Sequence, residues 1–435
     1  MNQVNPHLKL EVHPQRDELY TELHNRPFPV VAAPVRISHM ALKRYTHAVA
    51  DEIRHLQKIA HRYSVAPPEL GCTCYYQNFG EFEVRWEQHT EFSTYTFIMT
   101  GVEGDAFNDT VLALLPHAWL EQIPGSFVVG THLLVENENE LTRDELRQYF
   151  EGQRLIGGDT QDNLARVWTA FRLHSDNFSR MLVLNRGLNP CQTGRLIQRV
   201  LEIEDYRIMA LMAWPVAKKL GAVVTRMDRE LVAAIEQISS ITSLEDEQHL
   251  LTSLTSLAAE VEKYRGETNY RFAATQAYYA LVKDRLQYFR EAEIDGVQSI
   301  PFFLEKRLVP AIRTCESIQR RLEDLSCRIS RADDLLSTRV DLTLESQNQR
   351  LLASMNKRSR MQLRMQETVE TLSVAAVSYY LIAIIQLGLN TLEESGLITH
   401  ANWIFMGAIP LVIVCIIWGA NRIKKRIVQA GDDEI

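Results

Sequence analysis

Residues 331–392 read RADDLLSTRVDLTLESQNQRLLASMNKRSRMQLRMQETVETLSVAAVSYYLIAIIQLGLNTL. The run holds one glycine, Gly388, and no proline; upstream of it only Pro310 interrupts the chain after Pro301. This absence of breakers predicts one helix over Ala311 to Leu392, on the order of 120 Å long at about 1.5 Å per residue and far beyond a globular helix. Its charged body, RRLEDLSCRISRADDLLSTRV, needs neighbouring helices, from its own subunit or from symmetric copies. The end of the run is different. Leu372 to Thr391 carries no Asp, Glu, Lys or Arg, and neither does Ala401 to Ala420. About twenty apolar residues is what a hydrocarbon core requires, so both windows are expected to span a membrane.

Lys and Arg set the expected orientation. Arg350, Lys357, Arg358, Arg360 and Arg364 precede the first window, and Arg422, Lys424, Lys425 and Arg426 follow the second. The connection between them has only Glu393 and Glu394. Both ends of the hairpin are therefore expected on the cytoplasmic side, in a two-pass bacterial inner (cytoplasmic) membrane protein. The opening MNQVNPHLKLEVHPQRDEL has no apolar core of a secretory signal, which fits a cytoplasmic N-terminal part. A net charge of −8 argues against a nucleic-acid partner, and 46% hydrophobic residues against a polytopic permease. The six scattered cysteines suit a reducing compartment without disulfides.

The N-terminal part mixes periods. HPQRDELYTELHNRPFP reads as a short helix, VVAAPVRI as a strand and Met40 to Arg62 as a helix. Phe82, Val84 and Trp86 alternate with Glu83, Arg85 and Glu87, giving a hairpin turning near Asn78-Gly80 and continuing through FSTYTFIM. SFVVGTHLLV, RLIGG, ARVWTAFRL and RMLVLN are further strands, with LTRDELRQYF a helix opened by Thr142 and Glu145. After Asn189-Pro190 the pattern is helical to Glu293, with breaks near Pro215, Ile241-Ser243 and Gly266. The expected architecture is an α+β cytoplasmic domain (1–187), a helical region (188–300), a long stalk helix (301–371), a first transmembrane helix (372–392), an outer loop (393–400), a second transmembrane helix (401–420) and a cytoplasmic tail (421–435).

Within the first span Gln386 and Asn390 are four apart and share a face with Leu372, Ala376, Tyr379 and Ala383. Carboxamides in lipid must be paired or wet. Two readings stay open: interhelical glue, or the lining of an aqueous path in a ring of subunits. Elsewhere, His47, Asp51 and His55 recur every four residues, a spacing that suits metal ligands or a solvated face. Cys72 and Cys74 supply only two thiols, and Gly157-Gly158-Asp159 reads as a turn between strands, lacking the Lys of a phosphate loop. The acids Glu323, Asp324, Asp333, Asp334 and Asp341 form either solvated faces or divalent-cation sites between subunits. No nucleophile or acid/base constellation can be assembled from spacing, so no enzyme is expected.

A long helix running into a first span that ends Leu387-Gly388-Leu389-Asn390, a short acidic connection, a second span and a basic tail resembles the CorA-type divalent-cation transporter superfamily. Its hallmark is Gly-Met-Asn at the end of the first span; here Leu389 stands where that family has Met. The resemblance implies a pentamer with the first span lining a pore. It also implies Gly388 and Asn390 at the pore mouth, Glu393 and Glu394 attracting cations outside, and Arg422, Lys424, Lys425 and Arg426 as a basic ring. The transported ion would be Mg²⁺, or Co²⁺, Ni²⁺ or Zn²⁺. The runs HPQR, HNRPFP and GGDTQDNLARVWTAFRLHSDNFSRMLVLN are also similar to a bacterial family of uncharacterised membrane-anchored proteins. The alternative function is a membrane-anchored scaffold or sensor without transport, for which Gln386 and Asn390 have no use.

Overall fold

The computed structural model describes residues 12–16, 19–20, 28–44, 48–101, 107–138, 141–241, 243–394 and 401–432. The chain divides into two compact units, Met1–Asp333 and Asp334–Ile435.

The first unit is built on an eight-stranded sheet of order β2-β3-β4-β1-β5-β8-β7-β6. Its strands are β1 (Val35–Lys43), β2 (Cys74–Asn78), β3 (Glu83–Gln88), β4 (Phe92–Thr100), β5 (Ser126–Asn137), β6 (Ile156–Thr160), β7 (Ala165–Leu173) and β8 (Ser179–Asn185). Two halves share one element order, a strand, a helix and a three-strand meander. The first runs β1, α1 (Val49–Arg62), β2-β3-β4; the second runs β5, α3 (Arg143–Tyr149), β6-β7-β8, after the one-turn helix α2 (His117–Leu120). They join through the antiparallel β1–β5 pair, and β5 pairs with β8 in parallel.

Helix α1 lays Ile53, Leu56 and Ile59 on Trp86, Tyr95 and Phe97 at one face of the sheet. On the opposite face α4 (Pro190–Leu211) packs Leu196, Ile197 and Val200 against Val35, Ile37 and Val183. Asn189 caps α4 through Gln192 N–H at 2.9 Å, with Pro190 at the first helical position. Thr142 caps α3 in the same way, reciprocated by Glu145. The helices α5 (Trp214–Ser240), α6 (Leu244–Phe289) and the start of α7 (Ile300–Glu394) complete this unit. Val282, Phe289, Leu304, Leu308 and Ile312 share the core of the sheet, so the helices after Pro190 are continuous with the α/β part. Asp228 of α5 holds α7 by ion pairs to Arg321 at 2.7 Å and Arg328 at 3.1 Å.

Three local expectations are corrected. Met40 to Lys43 belongs to β1, and the helix begins at Val49; β1 is a central strand buried on both faces, so Met40, Ala41 and Leu42 are apolar in succession and do not alternate. Gly157, Gly158 and Asp159 lie in β6 and are not a turn. A Cβ on Gly157 would press into the Val167 carbonyl oxygen, and one on Gly158 into Glu291, so the glycines permit close approach within the sheet. Gly266 lies inside α6, which runs unbroken past it. Of the predicted N-terminal helix, 14–16 and 19–20 are described; 14–15 form a turn and 16 and 19–20 are helical.

Helix α7 runs past Pro310 without interruption; its part in the second unit ends at Glu394, and α8 (Ala401–Asp432) follows. Glu393 and Glu394 therefore form the last turn of α7 instead of a loop; residues 395–400 lie outside the described ones. By length and composition two helical stretches are apolar enough to cross a membrane, Pro190–Ile238 and Ile300–Thr391, and Phe405–Gly419 is a shorter apolar one. They differ in what covers them. A third of the apolar window in the first is buried, and the same helical stretch also puts Leu196, Val200 and Leu201 in the core, whereas none of the window in α7 is buried.

Candidate functional site

The residues singled out in the apolar end of α7 are all helical. Tyr379 is 71% exposed, Gln386, Gly388 and Asn390 are exposed, and nothing lies within reach of a Cβ on Gly388. Leu389 is half-covered, as are Val374, Ser378, Ile382 and Ile385 at spacings of three or four. On α8 the half-covered positions Phe405, Ala408, Ile409, Val412, Ile416 and Gly419 repeat in the same manner. On α7 the face of Leu372, Ala376, Tyr379, Ala383, Gln386 and Asn390 lies about a third of a turn round from the half-covered one. The amides thus occupy a face that the chain itself leaves open. Followed back towards the N-terminus at alternating steps of four and three, the same face takes in Val369, Met365, Met355, Leu351 and Leu344, each exposed by 47–65%. Gln362, Arg358 and Asn348 are its polar members.

Glu393 is exposed where the helix carbonyls end, so the acids reinforce the negative pole of the helix. Arg422 stacks over the Trp418 ring at 4.9 Å. Lys424, Lys425 and Arg426 are helical positions of α8, and their side chains, like that of Glu394, lie outside the described residues. His47 is outside the described residues, and Asp51 accepts from the backbone N–H of Ala48 at the start of α1. His55 is buried, stacked on Trp119, with Nε2 at 3.0 Å from its carbonyl. Burial pushes the His55 pKa down to about 4. Among the described residues no three His, Cys, Asp or Glu side chains form a metal-ready group. In the stalk Asp324 pairs with Arg328 at 3.6 Å, and Glu323 accepts from Gln319 at 3.1 Å. Neither Cys72 nor Cys74 forms a disulfide among the described residues.

The structure also assembles a polar row that spacing did not reveal. Arg85 of β3, Thr96 of β4, His39 of β1, Thr131 of β5 and Ser179 of β8 occupy one register line across the sheet. Helix α4 covers this line with adjacent acids. Ser179 Oγ donates to Glu204 at 3.0 Å and lies 2.8 Å from Thr131 Oγ1. His39 Nε2 donates to Asp205 at 3.0 Å, and its Nδ1 is 2.8 Å from Thr96 Oγ1. Desolvation pushes the Asp205 carboxyl up, opposed by His39. At the Arg85 end the row opens into a cavity of about 210 Å³ between the sheet, α4 and Arg285 of α6. Glu204 and Asp205 interrupt an otherwise core-facing stretch of α4, LIQRVLEIEDYRIM, and that interruption was the available signal.

A family model described as "Protein of unknown function (DUF3422)" matches residues 11–427. The chain belongs to this family. The match takes in both units, so the sheet, the α4–α6 helices and both apolar segments are parts of one family architecture. No curated protein matches the chain.

Proposed function

We propose that this protein is a two-span membrane protein, with both termini cytoplasmic, whose copies assemble round the amide-bearing face of α7 and pass hydrated divalent cations. The observation that carries the reading is the continuity of that face. From Leu344 to Asn390 one stripe at coiled-coil spacing is exposed in the single chain, mostly apolar in its first part, with Asn348, Arg358 and Gln362 among its members, and ending in Gln386 and Asn390. An apolar stripe in water needs another surface, and amides in lipid need partners or water; a ring of copies supplies both. The half-covered face with Leu389 is left for α8.

In this reading Asn390 offers carbonyl oxygens to the hydration shell of Mg²⁺, Co²⁺, Ni²⁺ or Zn²⁺. Gly388 keeps the neighbouring backbone accessible, and Tyr379 lines the path below. Glu393 and Glu394, at the negative pole of α7, raise the local cation concentration. Arg422, Lys424, Lys425 and Arg426 fix orientation at the cytoplasmic surface. A pentamer follows from the CorA-like arrangement. The second reading, a membrane-anchored sensor without transport, is favoured by the cavity in the sheet unit.

Purified protein in liposomes distinguishes them. Mg²⁺ and Ni²⁺ entry reported by an internal dye is expected for the wild type, with at least about a tenfold loss in Asn390→Ala. No flux from a folded, oligomeric wild type would leave the sensor reading.

A further inference from the structure

The cavity at the Arg85 end of the polar row has a buried floor and a half-buried rim. Its floor is Arg85, Thr94, Thr96, His39 and Asp205; Glu87, Gln198, Glu202 and Arg285 stand at the rim. Arg85 is 4% exposed, yet its Nε has no hydrogen-bond partner. Its Nη2 donates to Glu87 Oε1 at 2.8 Å. A guanidinium taken out of water with an unspent donor is costly unless an acceptor arrives, and the oxygen that matches its fork is a carboxylate. The carboxylates round the cavity are already engaged. Glu202 accepts from Gln198 at 2.7 Å and from Arg285, and Asp205 takes the His39 donor between its two oxygens.

Charge then narrows the choice. Arg285 holds Glu202 and His39 holds Asp205, which leaves Glu87 as the carboxylate that shares Arg85. A simple anion on Arg85 would come up against Glu87, whereas a molecule carrying both a carboxylate and an ammonium would satisfy Arg85 and Glu87 together. Glu87, bound to Arg85 through Oε1, is the carboxylate best placed for the ammonium. The volume equals that of about seven waters, below the roughly 300–1,000 Å³ of drug-sized ligand sites, so only a small molecule fits. The Tyr206 phenol on the same wall stays a neutral donor, its pKa pushed up by burial first and then by Glu202 and Asp205.

We propose that this cavity binds a small α-amino acid, its carboxylate on Arg85 and its ammonium against Glu87. The site is complete within residues 29–285 and stands whether or not the apolar segments conduct ions.

Isothermal titration of the full-length protein in detergent with the twenty common amino acids tests it. Each is paired with its acid lacking the amine, such as propionate for alanine and succinate for aspartate. The expected result is binding of at least one small amino acid with a Kd below about 1 mM, its des-amino partner weaker by at least about tenfold. Arg85→Gln should lose binding of both. Glu87→Gln, at the rim, should weaken the amino acid while sparing the des-amino acid, and it carries the test if circular dichroism shows that Arg85→Gln does not fold. No binding across the panel, equal binding of the des-amino acid, or unchanged binding in Glu87→Gln would overturn the proposal.

Discussion

In the sheet unit, His39, Thr96, Thr131, Ser179, Glu204 and Asp205 lie inside a hydrophobic core, and each meets a partner from the same chain. In the apolar stretch of α7, Gln386 and Asn390 are exposed, and neither has a side-chain partner among the described residues. Both regions put polar groups into apolar surroundings, where an unmade hydrogen bond costs about 1–3 kcal/mol. The difference teaches where the chain is self-sufficient. The row across the sheet is closed by the fold, and the stripe on α7 is unfinished until lipid, water or another copy meets it.

The sharpest way to break this comparison is to open the closed row. Asp205→Ala leaves the buried His39 ring facing no carboxylate, and the expected cost is about 3–5 kcal/mol of unfolding free energy. Denaturant titration followed by tryptophan fluorescence reads it, since Trp86, Trp119 and Trp168 are buried in this unit. Gln386→Leu, on the unfinished face, should stay within about 0.5 kcal/mol in the same assay. Equal effects for the two would mean that the row is no more closed than the stripe.

A smaller effect sharpens the boundary of the closed unit. Glu291 sits where α6 passes to α7, and its carboxylate oxygens accept the Ile300 N–H at 3.0 and 3.1 Å. Burial, only partly opposed by that bond, pushes its pKa up to about 7 from 4.5. Between those two values the folded state holds a proton that the unfolded chain has released. Stability contributed by this group is therefore present at the acid end and falls as pH rises through the window, by on the order of 3 kcal/mol. His55 acts oppositely, losing stability as pH drops from 6.5 towards 4. The difference between wild type and Glu291→Gln isolates the first slope, and Glu291→Gln is expected to lack it.

The smallest effect on folding, and the most direct probe of the open face, comes from α7 itself. Met365→Glu on the stripe should change single-chain stability by less than about 0.5 kcal/mol yet reduce the cross-linked oligomer in membranes. Leu363→Glu, equally exposed but off the stripe, should leave the oligomer as it is. If both behave alike, the stripe is not the contact between copies.

Much of the fold was legible because its signals are local. Thr142 with Glu145 and Asn189 with Pro190 announce their helices within four residues, and the breaker-free run after Pro310 announces α7. The misread segments are those whose meaning depends on distant neighbours. Met40 to Lys43 resembles a helix start because a strand buried on both faces loses its alternation. Gly157 and Gly158 resemble a turn because nothing nearby in sequence shows Val167 or Glu291 pressing on them.

What the sequence determined by itself is the order of elements, the uninterrupted α7, the two apolar windows and the shared face of Gln386 and Asn390, all consequences of spacing along one helix or strand. Only the tertiary structure decided that α4 serves the core of the sheet while the end of α7 serves none, and that His39 meets an aspartate 166 residues away. Helical periodicity reports which side chains share a face, but a partner across the sheet is chosen by register and by the helix that covers it, and neither is written in adjacent residues.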